Sequence, residues 1–209
     1  MMDLHRHTLV WLTKSPQPEL ERDVVESDHW HRQGRPFVVC RQQGDPDRLS
    51  LGFCLVAKQR DSKPRRFAVQ TLRENILRVK NPPSLFEVVH SNAIAAPTTL
   101  RKLSQEVVSA GLDVHVFGSW MWQMLTRDPY ASASSDLDIL IKVGTKAEAS
   151  RAITFLKQEA SELPFSIDGE LSIPRLGEVH WREYCSDAPS LLFKSLTSVQ
   201  MISRGDIWK

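Results

Sequence analysis

The sequence predicts an α+β protein, with a small β-rich domain over residues 1–83 and a mixed α/β domain over residues 84–209. Three observations lead there. Short apolar runs separated by polar, Gly- and Pro-bearing stretches fill the first third of the chain. Asn81-Pro82-Pro83-Ser84 then interrupts any regular element, because successive prolines remove backbone donors and restrict the residue before them. Beyond this break the apolar residues alternate between helical and strand spacing.

In the first domain, strands are expected at residues 8–12, 36–40, 51–57 and 67–69, and helical periodicity is weak throughout. Between residues 58 and 80 the charge turns basic: Lys58, Arg60, Lys63, Arg65, Arg66, Arg73, Arg78 and Lys80 face only Asp61 and Glu74. A solvated face with interspersed positive charge is the commoner explanation of such a run, and an anionic partner the alternative.

In the second domain, Thr99 is placed to cap a helix with Leu100, Leu103 and Val107 on one face, and Gly111 suits the position just past its end. Val114-His115-Val116-Phe117 reads as a buried strand, and Gly118-Ser119 turns the chain into a helix over residues 120–125. A strand over residues 136–143 begins polar and becomes apolar. Ala149, Ala152, Ile153, Leu156 and Ala160 then form an amphipathic helical stripe. Further strands are expected at residues 165–173 and 178–184, with a last apolar piece at residues 191–193.

Composition excludes several classes. The 209-residue chain has the charged and apolar fractions of a globular protein, and a formal charge of +2 gives no signature of a nucleic-acid partner. Cys40, Cys54 and Cys185 are odd in number and widely spaced, which suits reduced thiols in a cytoplasmic protein better than a disulfide framework or a zinc site. No run approaches the roughly 20 apolar residues of a membrane helix, and the start of the chain lacks the apolar core of a signal peptide. No membrane association is expected.

The chemistry concentrates in Asp136-Leu137-Asp138-Ile139. Carboxylates two residues apart in a strand project from the same face, and side by side they repel unless a cation lies between them. Mg²⁺ suits this role, because it prefers oxygen ligands and keeps positions open for substrate phosphates. Upstream, Gly118 and Ser119 open a helix, where backbone amides and a hydroxyl make a ready phosphate site. Taken alone, that pair is better explained as an ordinary turn with Ser119 as N-cap, and the aspartates as a solvent-facing strand end. A glycine-serine turn and a carboxylate pair on successive strands together resemble the nucleotidyltransferase signature, which implies a nucleotidyltransferase-like fold for the second domain.

A third carboxylate on a neighbouring strand would complete such a site. Asp168 is preferred, with Glu170, Glu178 and Glu183 as alternatives. Lys194 is a candidate phosphate ligand, although a strand-end lysine commonly snorkels to solvent. His5-x-His7 and His29-x-His31 have metal-pair spacing, but no cysteine or carboxylate cluster frames either pair. Trp120 and Trp122 cannot share one helix face, so at least one belongs to packing rather than to a base-stacking platform.

A closer resemblance rests on Val116-Phe117-Gly118-Ser119 with Trp122-Gln123, then Pro129-Tyr130 and Ala133-Ser134-Ser135-Asp136-Leu137-Asp138. It continues through Asp168-Gly169-Glu170, Val179-x-Trp181-Arg182-Glu183 and Leu192-x-Lys194, with His7-Thr8-Leu9-Val10-Trp11-Leu12 near the amino terminus. These segments are similar to the phosphoribosyl-dephospho-CoA transferase family of malonate decarboxylase systems. The similarity spans nearly the whole chain, and residues 116–140 are its diagnostic part. Sixteen residues separate Ser119 from Asp136, longer than in many members of the wider superfamily, which favours the specialised family.

The resemblance implies a reaction and its partners. A serine of the apo acyl-carrier subunit of malonate decarboxylase attacks the α-phosphate of 2′-(5″-triphosphoribosyl)-3′-dephospho-CoA, and diphosphate leaves. It also implies Asp136 and Asp138 as the catalytic pair, with Mg²⁺ as the metal. Asp168 joins them as the preferred third metal-binding and catalytic carboxylate, and Gly118, Ser119 and Lys194 are the phosphate-binding candidates. The basic first domain, with Arg65 and Arg66, is then a candidate surface for the carrier or the donor. Two rivals stand beside this reading: a nucleotidyltransferase acting on RNA or a small molecule, and a non-catalytic module that binds a carrier or nucleic acid.

Overall fold

A computed structural model describes residues 4–56, 64–132 and 135–209. The chain divides into two compact units, Met1–Pro82 and Pro83–Lys209. Lys58, Arg60, Asp61 and Lys63 of the basic run, and Ala133-Ser134 of the segment before Asp136, lie outside the described residues.

The first unit is built on β1 (Leu9–Leu12), β2 (Gln17–Pro18), α1 (Val24–Arg32), β3 (Phe37–Val39), β4 (Arg48–Leu55), β5 (Arg65–Leu72) and β6 (Ile76–Lys80). The strands form one antiparallel sheet in the order β2-β5-β4-β3-β1-β6. Its core is aromatic: Phe53 stacks on Phe67 at 4.6 Å, lies 4.9 Å from Trp30 and meets Phe37 edge-on. Buried Trp30 is also fixed by its indole N–H, which donates to the Pro36 carbonyl at 2.9 Å.

Helix α1 corrects the expectation of weak helical structure in this region. Its buried positions are Ser27 and Trp30, while Val24 and Val25 face solvent. A helix anchored by one tryptophan shows no apolar stripe, so its periodicity cannot be read. Strand β6 lies inside the basic run and carries no buried residue, which hides it in the same way.

The second unit contains α2 (Leu85–Val89), α3 (Thr98–Ser109), β7 (Asp113–Val116), α4 (Gly118–Thr126), β8 (Leu137–Lys142), α5 (Lys146–Glu159), β9 (Ile167–Ile173), β10 (Gly177–His180), α6 (Trp181–Tyr184), β11 (Ser190–Lys194) and β12 (Val199–Ser203). The sheet order is β12-β11-β10-β9-β8-β7, with β8 and β9 parallel and the other neighbours antiparallel. Parallel neighbours need a crossover, and α5 supplies it. Leu137, Ile139, Ile141, Ile167, Leu171, Ile173, Val179, Leu191 and Phe193 point to one face, where they pack with the apolar sides of α2, α3 and α5. Strand alternation therefore sends Asp138, Asp168, Glu170, Glu178, His180 and Lys194 to the opposite face.

Several boundaries move. Pro97, not Thr99, holds the N-cap position of α3, and no side chain caps it. Gly111 has φ +63°, directly beyond the Ala110 C-cap, as its placement requires. The double proline is followed at once by α2, because Ser84 forms a capping box with Glu87: the Glu87 amide donates to Ser84 Oγ and the Ser84 amide to Glu87 Oε2. The strand expected over residues 178–184 ends at His180, and α6 takes the remainder. Strand β12 escapes a hydrophobic reading because it is an edge strand with no buried residue.

Candidate functional site

Asp138 sits in β8, half-buried between Leu137 and Ile139, which anchor the strand from the core side. Its carbonyl accepts from the Phe117 amide at 3.0 Å, which ties it to the residue just before α4. The carboxylate lies against the first residue of that helix: a Cβ added at Gly118 would stand 1.8 Å from Asp138 Oδ2 and 2.6 Å from Cγ. Gly118 also has φ +66°, a conformation that side chains rarely adopt. Two independent requirements thus specify glycine at this turn. Half-buried Ser119 follows within the first turn of α4 rather than capping it from outside.

Asp136 immediately precedes β8 and is exposed, so the strand alternation expected for the Asp136–Asp138 pair applies only from Leu137 onward. The loop before it is braced on α4. Gln123 Oε1 accepts from the Ala131 amide at 2.9 Å, Trp122 packs near Tyr130, and the Ser132 amide donates to Ser135 Oγ at 2.9 Å. Trp120 and Trp122 are both buried, so both act in packing rather than as an exposed stacking platform.

Asp168 is the direct parallel neighbour of Asp138. Adjacent strands lie about 4.8 Å apart, so the two side chains leave the same face side by side. Asp168 remains 55% exposed at its side chain, and its Oδ1 lies 3.2 Å from His180 Nε2. The alternatives for a third carboxylate are placed differently. Buried Glu170 pairs with Leu140 in register and receives Lys194 Nζ at 3.1 Å. Buried Glu178 lies opposite Ser172, farther along β9. Glu183 Oε1 accepts from the Leu192 amide at 2.6 Å, which makes it a structural brace for β11.

Lys194 is not brought to the Gly118 turn. It lies on β11, three strands from β8, and its register runs through Glu178 and Ser172 to Lys142, at the end of β8 away from Asp138. Strand spacing and rise put its Cα about 14 Å across and about 13 Å along the sheet from Asp138. The two histidines of the His29-x-His31 pair are engaged elsewhere. His31 Nε2 lies 3.1 Å from the Leu12 carbonyl, and His29 meets Gln33 at 2.9 Å.

Asp136, Asp138 and Asp168 offer only carboxylate oxygens, the donor chemistry that Mg²⁺ prefers. Among the described residues no three His, Cys, Asp or Glu side chains converge as a ready cage. The three-carboxylate set expected from the sequence is thus not assembled as a cage, and Asp138 and Asp168 are the two that register sets side by side. The Asp138 carboxylate fills the space beside Gly118 and adjoins the amides of the first turn of α4, so a cation held by that carboxylate would lie next to an anion at the helix start. The residues present therefore fit the group. The thiols are no competing nucleophiles of low pKa: burial pushes both Cys54 and Cys185 upward, partly offset by Arg66 beside Cys54 and by Lys157 and Arg204 beside Cys185.

His180 is the site neighbour that sequence reasoning missed. Its sequence neighbour Glu178 is not its partner: that partner, Asp168, lies twelve residues away across a strand reversal, a pairing that chain spacing does not signal.

Residues 5–82 match the model of the phosphoribosyl-dephospho-CoA transferase MdcG N-terminal domain, and residues 84–205 match that of the C-terminal domain. The chain is 32% identical to a phosphoribosyl-dephospho-CoA transferase of Xanthomonas axonopodis pv. citri (strain 306), over 97% of this chain and 96% of that protein. It is similar at the same identity and coverage to the protein of that name from Xanthomonas euvesicatoria pv. vesicatoria (strain 85-10). A third, from Xanthomonas campestris pv. campestris (strain 8004), is 31% identical over 95% of this chain and 94% of its own length. No solved structure matches the chain. Among the described residues no helix is long and apolar enough to cross a membrane.

Proposed function

Because the chain belongs to the phosphoribosyl-dephospho-CoA transferase MdcG family, we propose that it transfers phosphoribosyl-dephospho-CoA to a carrier protein. The donor is 2′-(5″-triphosphoribosyl)-3′-dephospho-CoA, and the acceptor is a serine hydroxyl of the apo acyl-carrier subunit of malonate decarboxylase. In the reaction the serine oxygen bonds to the α-phosphorus, the bond from that phosphorus to the bridging oxygen of the β-phosphate breaks, and diphosphate leaves. The serine proton is lost, and a phosphodiester joins carrier and prosthetic group.

The observation that carries this reading is the contact of the Asp138 carboxylate with Gly118 at the start of α4. Phosphoryl-type transfer depends mainly on positioning and charge neutralisation. The amides and Ser119 hydroxyl at the start of α4 suit triphosphate oxygens, and the missing side chain at position 118 lets the Asp138 carboxylate approach the helix start closely. Asp138 and Asp168, side by side in register, are the residues that would hold Mg²⁺, with Asp136 just before β8 as the candidate to join them. When bound there it supplies charge neutralisation on the triphosphate and orients the displacement. Asp138, against the helix start, fixes where that charge lies relative to the phosphate cradle. The Lys194–Glu170 pairing argues for a role of Lys194 in holding the sheet face, at a distance from the reacting phosphate. The chemistry calls for no membrane, and its setting is the cytoplasm.

The test is the intact mass of a purified apo carrier after incubation with this protein, Mg²⁺ and the donor. One added phosphoribosyl-dephospho-CoA group with wild type, and none with Asp136→Asn/Asp138→Asn, is the expected result. An unchanged carrier mass with folded protein and competent donor would refute the substrate pair.

A further inference from the structure

We propose that His180 is a positioning residue for Asp168, held in place by a clamp that Trp181 and Arg182 close around the end of β9. The inference rests on the reading of Asp136, Asp138 and Asp168 as the acidic site of the transferase.

The need for a clamp follows from the ladder. The last pair joining β9 to β10 is Glu170 with His180, so Asp168 and Ile167 extend past the end of the β10 pairing. On the other side they are held, since Asp168 pairs with Asp138 and Ile167 with Leu137. The Ile167 carbonyl lies beyond the last β9–β10 pair, and an unpaired buried carbonyl is costly. Instead of continuing as a strand, the chain turns into α6 at this point. Trp181 Nε1–H donates to the Ile167 carbonyl at 3.3 Å, and Arg182 Nη1–H donates to the same oxygen at 3.2 Å. The Arg182 guanidinium lies 4.5 Å over the Trp181 ring, so the two donors brace each other.

Gly169 completes the arrangement on the far side of Asp168. A Cβ there would stand 2.9 Å from Trp181 Cδ1, so the indole packs where any side chain would be. Both residues flanking Asp168 are therefore fixed by Trp181 or Arg182. Trp181, at the start of α6, packs into the core, while His180 at the end of β10 lies on the face that Asp168 shares.

His180 has one tautomer available in this geometry. Its Nδ1 accepts the Arg182 amide at 3.2 Å as the N-cap of α6, so the neutral ring carries its proton on Nε2. That N–H donates to Asp168 Oδ1 at 3.2 Å. One oxygen of the carboxylate is thereby oriented, on a residue whose register neighbour is Asp138. Partners of this kind typically change metal affinity or activity by about 10–100-fold.

Two substitutions separate positioning from capping. His180→Asn keeps an acceptor where Nδ1 stood, and so keeps the cap, but lacks the atom that reaches Asp168. His180→Gln extends an amide N–H to that position. The measurement is Mn²⁺ binding by electron paramagnetic resonance on full-length protein with the triphosphoribosyl-dephospho-CoA donor and without carrier, alongside thermal melting. His180→Asn is expected to weaken Mn²⁺ binding about 10-fold or more at an unchanged melting temperature, and His180→Gln to restore most of it. Wild-type Mn²⁺ affinity in His180→Asn, while Asp138→Asn loses binding, overturns the positioning role alone. Undiminished binding in Asp138→Asn overturns the acidic site itself, and this inference with it.

Discussion

Asp138 Oδ2 occupies the space that a side chain at residue 118 would need, at 1.8 Å from where its Cβ would stand. The carboxylate and the first turn of α4 are thus mutually dependent: the helix can start there only without a side chain, and the carboxylate can reach it only for the same reason.

Gly118→Ala is therefore expected to combine a clash with an unfavourable positive φ, costing about 1–3 kcal/mol of stability. Relief of the clash must move Asp138, so transfer should fall by more than the fraction of protein unfolded. Melting curves beside carrier-mass assays check both; wild-type turnover in Gly118→Ala would show that the contact is dispensable.

Asp138→Asn keeps the side-chain volume but removes the charge. Transfer should fall about 100-fold or more, the scale typical of losing one electrostatic stabiliser. Its melting temperature should hold, because Asp138 is only half-buried and its carbonyl still accepts from Phe117. Asp136→Asn should lose activity too, without a fold change, since Asp136 is exposed.

Arg65 and Arg66 adjoin in sequence but differ in role. Arg65 pairs with buried Asp23, reaches Glu26 at 3.4 Å and lies 4.4 Å over the Phe67 ring. Removing it leaves Asp23 without that partner, so Arg65→Ala should cost about 1–2 kcal/mol, discounted for the exposed half of the pair. Arg66 is exposed on β5, which makes Arg66→Glu the cleaner probe of carrier association. It should weaken association and flatten its salt dependence at an unchanged melting temperature. Undisturbed binding at low salt would remove the basic face from the interface.

Glu159, in the last turn of α5, has its pKa raised by burial and then by Glu162 and Glu106, with Lys102 opposing. A carboxyl with a raised folded-state pKa binds its proton more tightly when folded. Its charged form is therefore a cost that is absent below the unfolded carboxylate range and appears as pH rises through the folded value. Glu159→Gln should melt higher than wild type at pH 7, with the gap closing toward pH 4. A gap independent of pH would point to packing instead.

The candidate site is legible in the chain where its parts are local. Gly118-Ser119 and Asp136-Leu137-Asp138 each carry their chemistry within two or three residues, and the strands behind them are apolar enough to be recognised. Elements with little buried apolar surface were not legible. Helix α1 hangs on Trp30, and β6 and β12 bury nothing, so no hydrophobic period marks them. Helix α6 was read as strand because Val179 and Trp181 continue an alternating pattern; what ends the strand is the hydrogen bonding of Trp181 and Arg182 to Ile167.

By itself the sequence determined the α+β class, the break at the double proline, the glycine at the helix start and the acidic pair, since each follows from backbone restriction or from residues a few positions apart. Only the tertiary structure decided where the candidate third acids lie relative to Asp138. Asp168, Glu170, Glu178 and Glu183 are chemically alike in the chain, and strand register alone sets Asp168 beside Asp138, Glu170 against Lys194 and Glu183 under β11. His180 meets Asp168 for the same reason, because hydrogen-bonded register brings together residues whose separation along the chain carries no chemical signal.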